Sequence, residues 1–275
     1  MGTTITERMI GRVERVLWVR EPAAGLAAVV ALHSPRLGPA LAGCAVLHGA
    51  DSADAVLHAM RAAEWATLTA RTAGAAAGGG AVVLLGDPHP EAAVALGDLL
   101  GDVAPGLWIV PDLGRATETG REIGLRAGRL ADPDPARGAA GVVAATVSGW
   151  RQATGAASVR DVDVRVLGAG GLAAHVATGL SAGGARVTRR DVCDPSAPPA
   201  DAVVACPGAG LSEAEAASLR CRLAVGAPGD ALDAEPVWAA LTARGVVAVP
   251  GSIAGGALLA AAAELAAAPA AACAA

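Results

Sequence analysis

Gly168-Ala-Gly170-Gly171-Leu172-Ala173 is a G-x-G-x-x-[GA] run, and an acidic residue, Asp191, stands 21 positions after Gly170. That spacing suits the pyrophosphate and ribose of a dinucleotide. Gly168 would make the tight turn, Gly170 would let the backbone approach the pyrophosphate, Ala173 would allow close helix–strand packing, and Asp191 would meet the ribose diol. Gly171 and Leu172 lie inside the run. Cys206 and Pro207, at the end of a later apolar run, complete the expected cofactor-binding set. NAD(H) is the expected cofactor. If the strand before Asp191 ends a residue or two early, Arg189 or Arg190 would favour the 2′-phosphate of NADP(H). The bland alternative is a glycine-rich turn in a sheet that binds nothing. Asp112, after Leu107–Val110 and Pro111, can give or take a proton, or merely cap a loop before Gly114. Cys44 has no base placed by sequence to activate it. The chain contains no lysine, so no step can use an amine side chain.

An α/β framework has to position these residues. In the first half, Val16–Val19 and Leu26–Leu32 read as strands around the turn Glu21–Gly25, followed by a Gly/Pro loop, Pro35–Pro39. Ser52–Ala73 reads as a long helix, capped by Ser52 or Asp54, with apolar positions at Ala55, Leu57, Met60 and Ala63. Gly78-Gly-Gly80 leads into a short buried strand, Ala81–Leu85, and Leu107–Val110 is another strand. Arg129–Gly138, with two prolines and alternating charge, is the linker candidate. It sets expected domains of 1–134 and 135–275 and places Asp112 in the first. Ala139–Ala153 then reads as a helix. Strands are expected at Val162–Leu167, Ala185–Val192, Ala202–Cys206, Leu223–Val225 and Val246–Val249, with a helix at Ala174–Ala182. Alternation of this kind means a parallel sheet. Between Asp191 and Ala202 there is no room for a helix. Ser212–Glu215 reads as a helix N-terminus, its acidic side chains favoured by the helix dipole.

Composition closes off several classes. The 275 residues carry 21 Lys+Arg against 26 Asp+Glu, a net charge of −5 that argues against a nucleic-acid partner. A 53% hydrophobic content with 17% charged residues excludes a disordered chain. The first twenty residues have no apolar signal core. The Ala-rich stretch 255–275, interrupted by Glu264 and Pro269, reads as a surface helix with a frayed tail rather than a membrane span. Five cysteines without a C-x-x-C pair are expected to be free thiols in a reducing cytoplasm, and the scattered histidines offer no metal site.

Several runs together resemble the leucine/phenylalanine/valine branch of the amino-acid dehydrogenases, over about residues 14 to 260. Gly25-Leu26 through Ala-Leu-His33 and Leu37-Gly-Pro-Ala-Leu41-Ala-Gly43 are similar to its G-L-x-A-I-I-A-I-H-x-x-x-L-G-P-A-L-G-G segment. Arg61 to Pro88 resembles, without a gap, its R-L-A-x-G-M-T-x-K, G-G-G-K and G-D-P runs. Pro111-Asp112-Leu-Gly114 resembles its D-V-G-T, and Pro250–Gly256 a shortened N-A-G-G segment. The resemblance implies an N-terminal substrate and oligomerisation α/β domain followed by a Rossmann-like dinucleotide-binding domain, in a homo-oligomer acting on a small molecule. It also implies oxidative deamination by two lysines and an aspartate. One lysine clamps the substrate carboxylate and the other activates water. Carried over by position, the lysines fall on Thr69 and Ala81, and the aspartate is Asp112. The family's asparagine falls on Ile253, and a threonine that touches the nicotinamide on about Gly138. The expected substrate-binding set is Leu41, Gly43, Trp65, Thr69 and Ala81. Arg71 is about 200° round a helix from Thr69 and faces away. The family's C-terminal helices are nearly all missing from the match.

Thr and Ala cannot do what two lysines do, so deamination of ordinary amino acids is not expected. What remains, a dinucleotide turn and one carboxylic acid, is enough to reduce an imine-like substrate in specialised metabolism: protonating the nitrogen makes its carbon a better hydride acceptor. The alternatives are a non-redox acid–base or cyclising enzyme, and a non-catalytic partner of an active homologue.

Overall fold

The computed structural model describes residues 2–87, 89–209, 211–227 and 235–268. Pro88 of the G-D-P run, Pro269 and Cys273 lie outside the described residues. The chain divides into two compact units. One comprises Met1–Pro111, Ala116–Pro133 and the segment from Leu259; the other comprises Asp112–Arg115 and Asp134–Leu258. This differs from a single cut after residue 134 in two places: the turn at Asp112 groups with the second unit, and the last helix with the first.

In the first unit, β1 (Thr4–Ile10), β2 (Val13–Glu21), β3 (Leu26–His33), β4 (Ala40–Leu47), β5 (Gly78–Leu85) and β6 (Leu107–Ile109) form one mixed sheet in the order β1-β2-β3-β5-β4-β6. Helix α1 (Ser52–Thr72) covers one face, where Ala55, Ala59 and Ala63 meet Val16, Val29, Ala31, Ala81 and Val83. Helices α2 (Pro90–Val103) and α3 (Thr117–Arg126) cover the other, where Leu96, Leu100 and Ile123 meet Leu17, Val30, Leu32 and Leu84. Each of these leucines is worth about 1.5–3 kcal/mol buried rather than exposed.

Several elements differ from the sequence reading. β1 is an edge strand, exposed along almost all its length, so it lacks the half-buried alternation that marks a strand. β4 is Ala/Gly-rich, and the sequence reading assigned it no element. α1 is capped by Asp51, whose carboxylate accepts from the N–H groups of Ala53 and Asp54 at 2.8 and 2.9 Å, ahead of Ser52 and Asp54. The triple glycine belongs to β5 itself. A Cβ on Gly79 would come within 2.0 Å of the Ala63 carbonyl oxygen and 2.5 Å of the Thr67 nitrogen, so α1 can lie on the sheet there only without a side chain.

The second unit is built on α4 (Pro135–Thr154), β7 (Asp163–Leu167), α5 (Gly171–Ala182), β8 (Arg186–Arg190), β9 (Ala202–Ala205), α6 (Glu213–Ser218), β10 (Leu223–Gly226), α7 (Glu235–Thr242), β11 (Val247–Val249) and the short α8 (Gly251–Ala254); α9 (Gly256–Ala267) ends the described chain. α4 starts inside the expected linker, with Pro135 at its first position and the Asp134 carboxylate accepting from the Ala136 N–H. The sheet is wholly parallel, in the order β11-β10-β9-β7-β8. α4 and α5 pack Val142, Trp150, Val176 and Leu180 on one face; Ala216, Val237 and Leu241 line the other. No helix forms between β8 and β9, which leaves β8 an exposed edge.

Among the described residues no helix is long and apolar enough to cross a membrane. No group of three or more His, Cys, Asp or Glu among them could hold a metal ion. Cys44, Cys193, Cys206 and Cys221 are free.

Candidate functional site

The chain leaves β7 to pair β8 on one side and later returns to pair β9 on the other. The carboxyl ends of β7 and β9 therefore flank a topological switch point, where open parallel sheets bind ligands. The glycine run lies there. Gly168 has φ +126°, a region that favours glycine, and a Cβ on it would come within 3.0 Å of the Cys206 Cβ and 3.3 Å of the Pro207 carbonyl oxygen. Its N–H donates to the Arg190 carbonyl at 2.8 Å, and the Cys206 N–H donates to the Leu167 carbonyl at 2.8 Å. These bonds tie the ends of β8, β7 and β9 side by side and put Asp191, exposed, directly after β8.

Gly170 is the N-cap of α5, and a Cβ there would meet nothing within 4 Å. The first α5 backbone bond runs from the Ala174 N–H to the Gly170 carbonyl at 3.2 Å. The N–H groups of Gly171, Leu172 and Ala173 have no acceptor inside the helix, and they point where the helix dipole favours an anion. The side chains of Leu172 and Ala173 are core, at 2% and 1% exposure, so only their backbone is available to a ligand. The open cap and the glycine turn fit a dinucleotide pyrophosphate.

Asp112 lies in a 3-10 turn, Pro111–Leu113, and is 9% exposed. Grouped with the second unit, its carboxylate acts on Cys206: burial first, and the Asp112 charge second, push that thiol up to about 12. The acid is therefore within electrostatic reach of Cys206, at the carboxyl end of β9. The sequence reading put it in the other domain.

In the first unit, Leu41 and Gly43 lie on β4, and Gly43 pairs in register with Ala81 on β5. Trp65 and Thr69 are one turn apart on α1, and the Thr69 hydroxyl donates to the Trp65 carbonyl at 2.9 Å. Leu41 and Thr69 are fully buried, Ala81 sits in the alanine–valine cluster beneath α1, and Arg71 is exposed. Trp65 and Gly43 are half-buried. His33, at the end of β3, has a partner on α1. It meets Thr67 through Nδ1 at 2.9 Å, a contact between β3 and α1 that no local pattern signals.

No family model matches the chain. It is 32% identical over 196 residues to valine dehydrogenase of Streptomyces albus, covering 65% of this chain and 53% of that protein. It is 42% identical over 76 residues to valine dehydrogenase of Streptomyces ambofaciens, covering 28% of this chain and 72% of that sequence. The chain belongs to the family of valine, leucine and phenylalanine dehydrogenases. It spans about half the length of the Streptomyces albus protein. A fold likeness at 17% identity extends to the hetero-hexameric glutamate dehydrogenase of Thermus thermophilus, with a TM-score of 0.66 over 95% of this chain and 74% of that one.

The resemblance would put the family's two lysines at Thr69 and Ala81. Thr69 has its hydroxyl engaged inside its own helix, and Ala81 packs in an apolar cluster with Ala59, Ala63 and Val83. Gly138, about where the resemblance would put the family's threonine, leaves little room for a side chain: a Cβ would meet Leu258 at 3.1 Å and Leu172 at 3.3 Å. Ile253, at the asparagine position, is 63% exposed.

Proposed function

We propose that this protein is an NAD(P)H-dependent reductase of an imine-like substrate that carries no α-carboxylate, with NAD(H) preferred through Asp191. What supports the reading is the Asp112 charge felt by Cys206, the residue that a Gly168 Cβ would meet, together with the open cap of α5. Bound reduced nicotinamide supplies a hydride. Asp112 gives its proton to the imine nitrogen as the carbon accepts that hydride, so the C=N bond becomes CH–NH and the carboxylate is left to be reprotonated from solvent. The first-turn N–H groups of α5 hold the pyrophosphate, and Asp191 holds the ribose. A substrate without a carboxylate needs neither lysine. Family membership favours a small-molecule substrate and a homo-oligomer.

Titrating the protein with NADH and with NADPH by calorimetry tests this. One saturable site is expected, tighter for NADH. Gly170→Val is expected to abolish binding while keeping the melting temperature, because the position is open in the folded chain. A Gly170→Val variant that binds NADH like the parent would remove the nucleotide site, and the reductase with it.

A further inference from the structure

At the amino end of the parallel sheet, opposite the glycine turn, lies a cavity of about 510 Å³, within the size range of small-molecule sites. Three arginines from two loops line it: Arg220 and Arg222, in the run leading into β10, and Arg244, in the turn before β11. Main-chain carbonyls hold each one. Arg220 Nη2 donates to the Ala197 oxygen at 3.2 Å, Arg222 Nη2 to the Ala153 oxygen at 3.5 Å, and Arg244 Nη1 to the Ala216 oxygen at 3.4 Å and to the Leu219 oxygen. Arg222 also stacks over the Trp150 ring, 5.6 Å from its centroid, which fixes its guanidinium plane.

Carbonyls orient a guanidinium but do not neutralise it. No ion pair among the described residues involves any of the three. Of the two lining carboxylates, Asp163 takes both bonds of the Arg186 fork at 2.8 and 2.9 Å, whereas Asp201 accepts only from the Asp163 N–H at 2.9 Å and keeps its charge at the rim. A chain of net charge −5 thus gathers three guanidiniums around one concavity, against Asp201 as the one lining carboxylate outside an ion pair among the described residues. Most of the five donors on each guanidinium are not used by these bonds.

We propose that this cavity binds a small, multiply charged oxyanion, a phosphorylated or polycarboxylate metabolite, at a site separate from the nucleotide turn. Arg220 and Arg222 form the clamp, and Arg244 closes its side. The test titrates the full chain with pyrophosphate and, separately, with citrate at low salt. One saturable site is expected with at least one probe, and which probe binds more tightly assigns the ligand to phosphate or to carboxylate chemistry. The site weakens as salt rises. Arg220→Ala and Arg244→Ala should each weaken it about tenfold or more, the loss expected for a charge-assisted hydrogen bond. Arg222→Ala is scored only if its melting temperature holds, since it also removes the Trp150 stack. Gly170→Val should keep the parent's anion affinity, which separates this site from the helix end. No saturable binding of either probe, an Arg220→Ala variant that binds like the parent, or anion binding lost with Gly170→Val would each overturn the proposal.

Discussion

Asp112 is a nearly buried carboxyl just after a strand, in a turn that groups with the second unit. Such an acid contributes about 10²–10⁴-fold in rate when it protonates a reacting nitrogen. Asp112→Asn keeps the size but cannot give up a proton. Its single-turnover reduction rate should fall by roughly two or more powers of ten, in kcat rather than only in KM, with NADH affinity near that of the parent. A merely structural Asp112 would instead lower the melting temperature and leave turnover per folded molecule intact. Ala81 sets a second test. Restoring the family lysine there puts an ammonium among Ala59, Ala63 and Val83, with no carboxylate in that cluster. Ala81→Lys should cost at least roughly 2 kcal/mol of stability and gain no activity. Neither it nor the parent should reduce NAD with leucine, valine or phenylalanine, and clear NADH formation from any of them would contradict the reading of this site.

Helix α1 and strand β5 show how an element can depend on what is missing. Gly79 lets the α1 backbone settle onto the sheet, and Gly80 leaves room for Leu107, whose Cδ1 would lie 2.4 Å from an added Cβ. Gly79→Ala should lower stability by about 1–3 kcal/mol through forced separation of helix and strand, measured by denaturant unfolding. An unchanged midpoint would mean that α1 does not lie this close. β5 reads from sequence only from Ala81 onward, because glycine carries no strand propensity. Its first three residues become strand through pairing with β3 and β4. α2 and α3 were not legible either. α2 is rich in Ala, Leu and Gly, with no sharp polar face, and its partner surface lies on strands distant in sequence.

The whole molecule has an unusually clean alkaline titration. It contains neither lysine nor tyrosine, whose ordinary pKa values of about 10 would otherwise dominate that range. Burial pushes the thiols of Cys44 and Cys206 up to about 12 and that of Cys221 up to about 11, against an ordinary value of 9.0. The folded chain keeps protons that the unfolded chain releases. Their contribution is complete below about pH 9 and is lost as pH rises toward the folded values. The melting temperature should therefore decline from pH 9 to 11, and Cys44→Ala should flatten the decline. A melting temperature constant over that range would show that these thiols are not buried as described.

The sequence by itself determined the parallel second half, the glycine turn, the acid after β8 and the missing helix after it. Each is written locally: a tight turn selects glycine, a strand of β-branched residues selects itself, and eleven residues with three prolines between β8 and β9 cannot form a helix that packs. The motif likeness also led to the expectation that two lysines are replaced, since residue identity at a matched position needs no coordinates. Only the tertiary structure decided that Asp112 belongs with Cys206, that Ala81 lies under α1, and that Arg220, Arg222 and Arg244 share one cavity. Those facts depend on which distant segments pair. Long-range packing of small residues such as Ala and Gly leaves almost no periodic trace in the chain, because such residues fit a helix, a strand or a loop with little difference in burial.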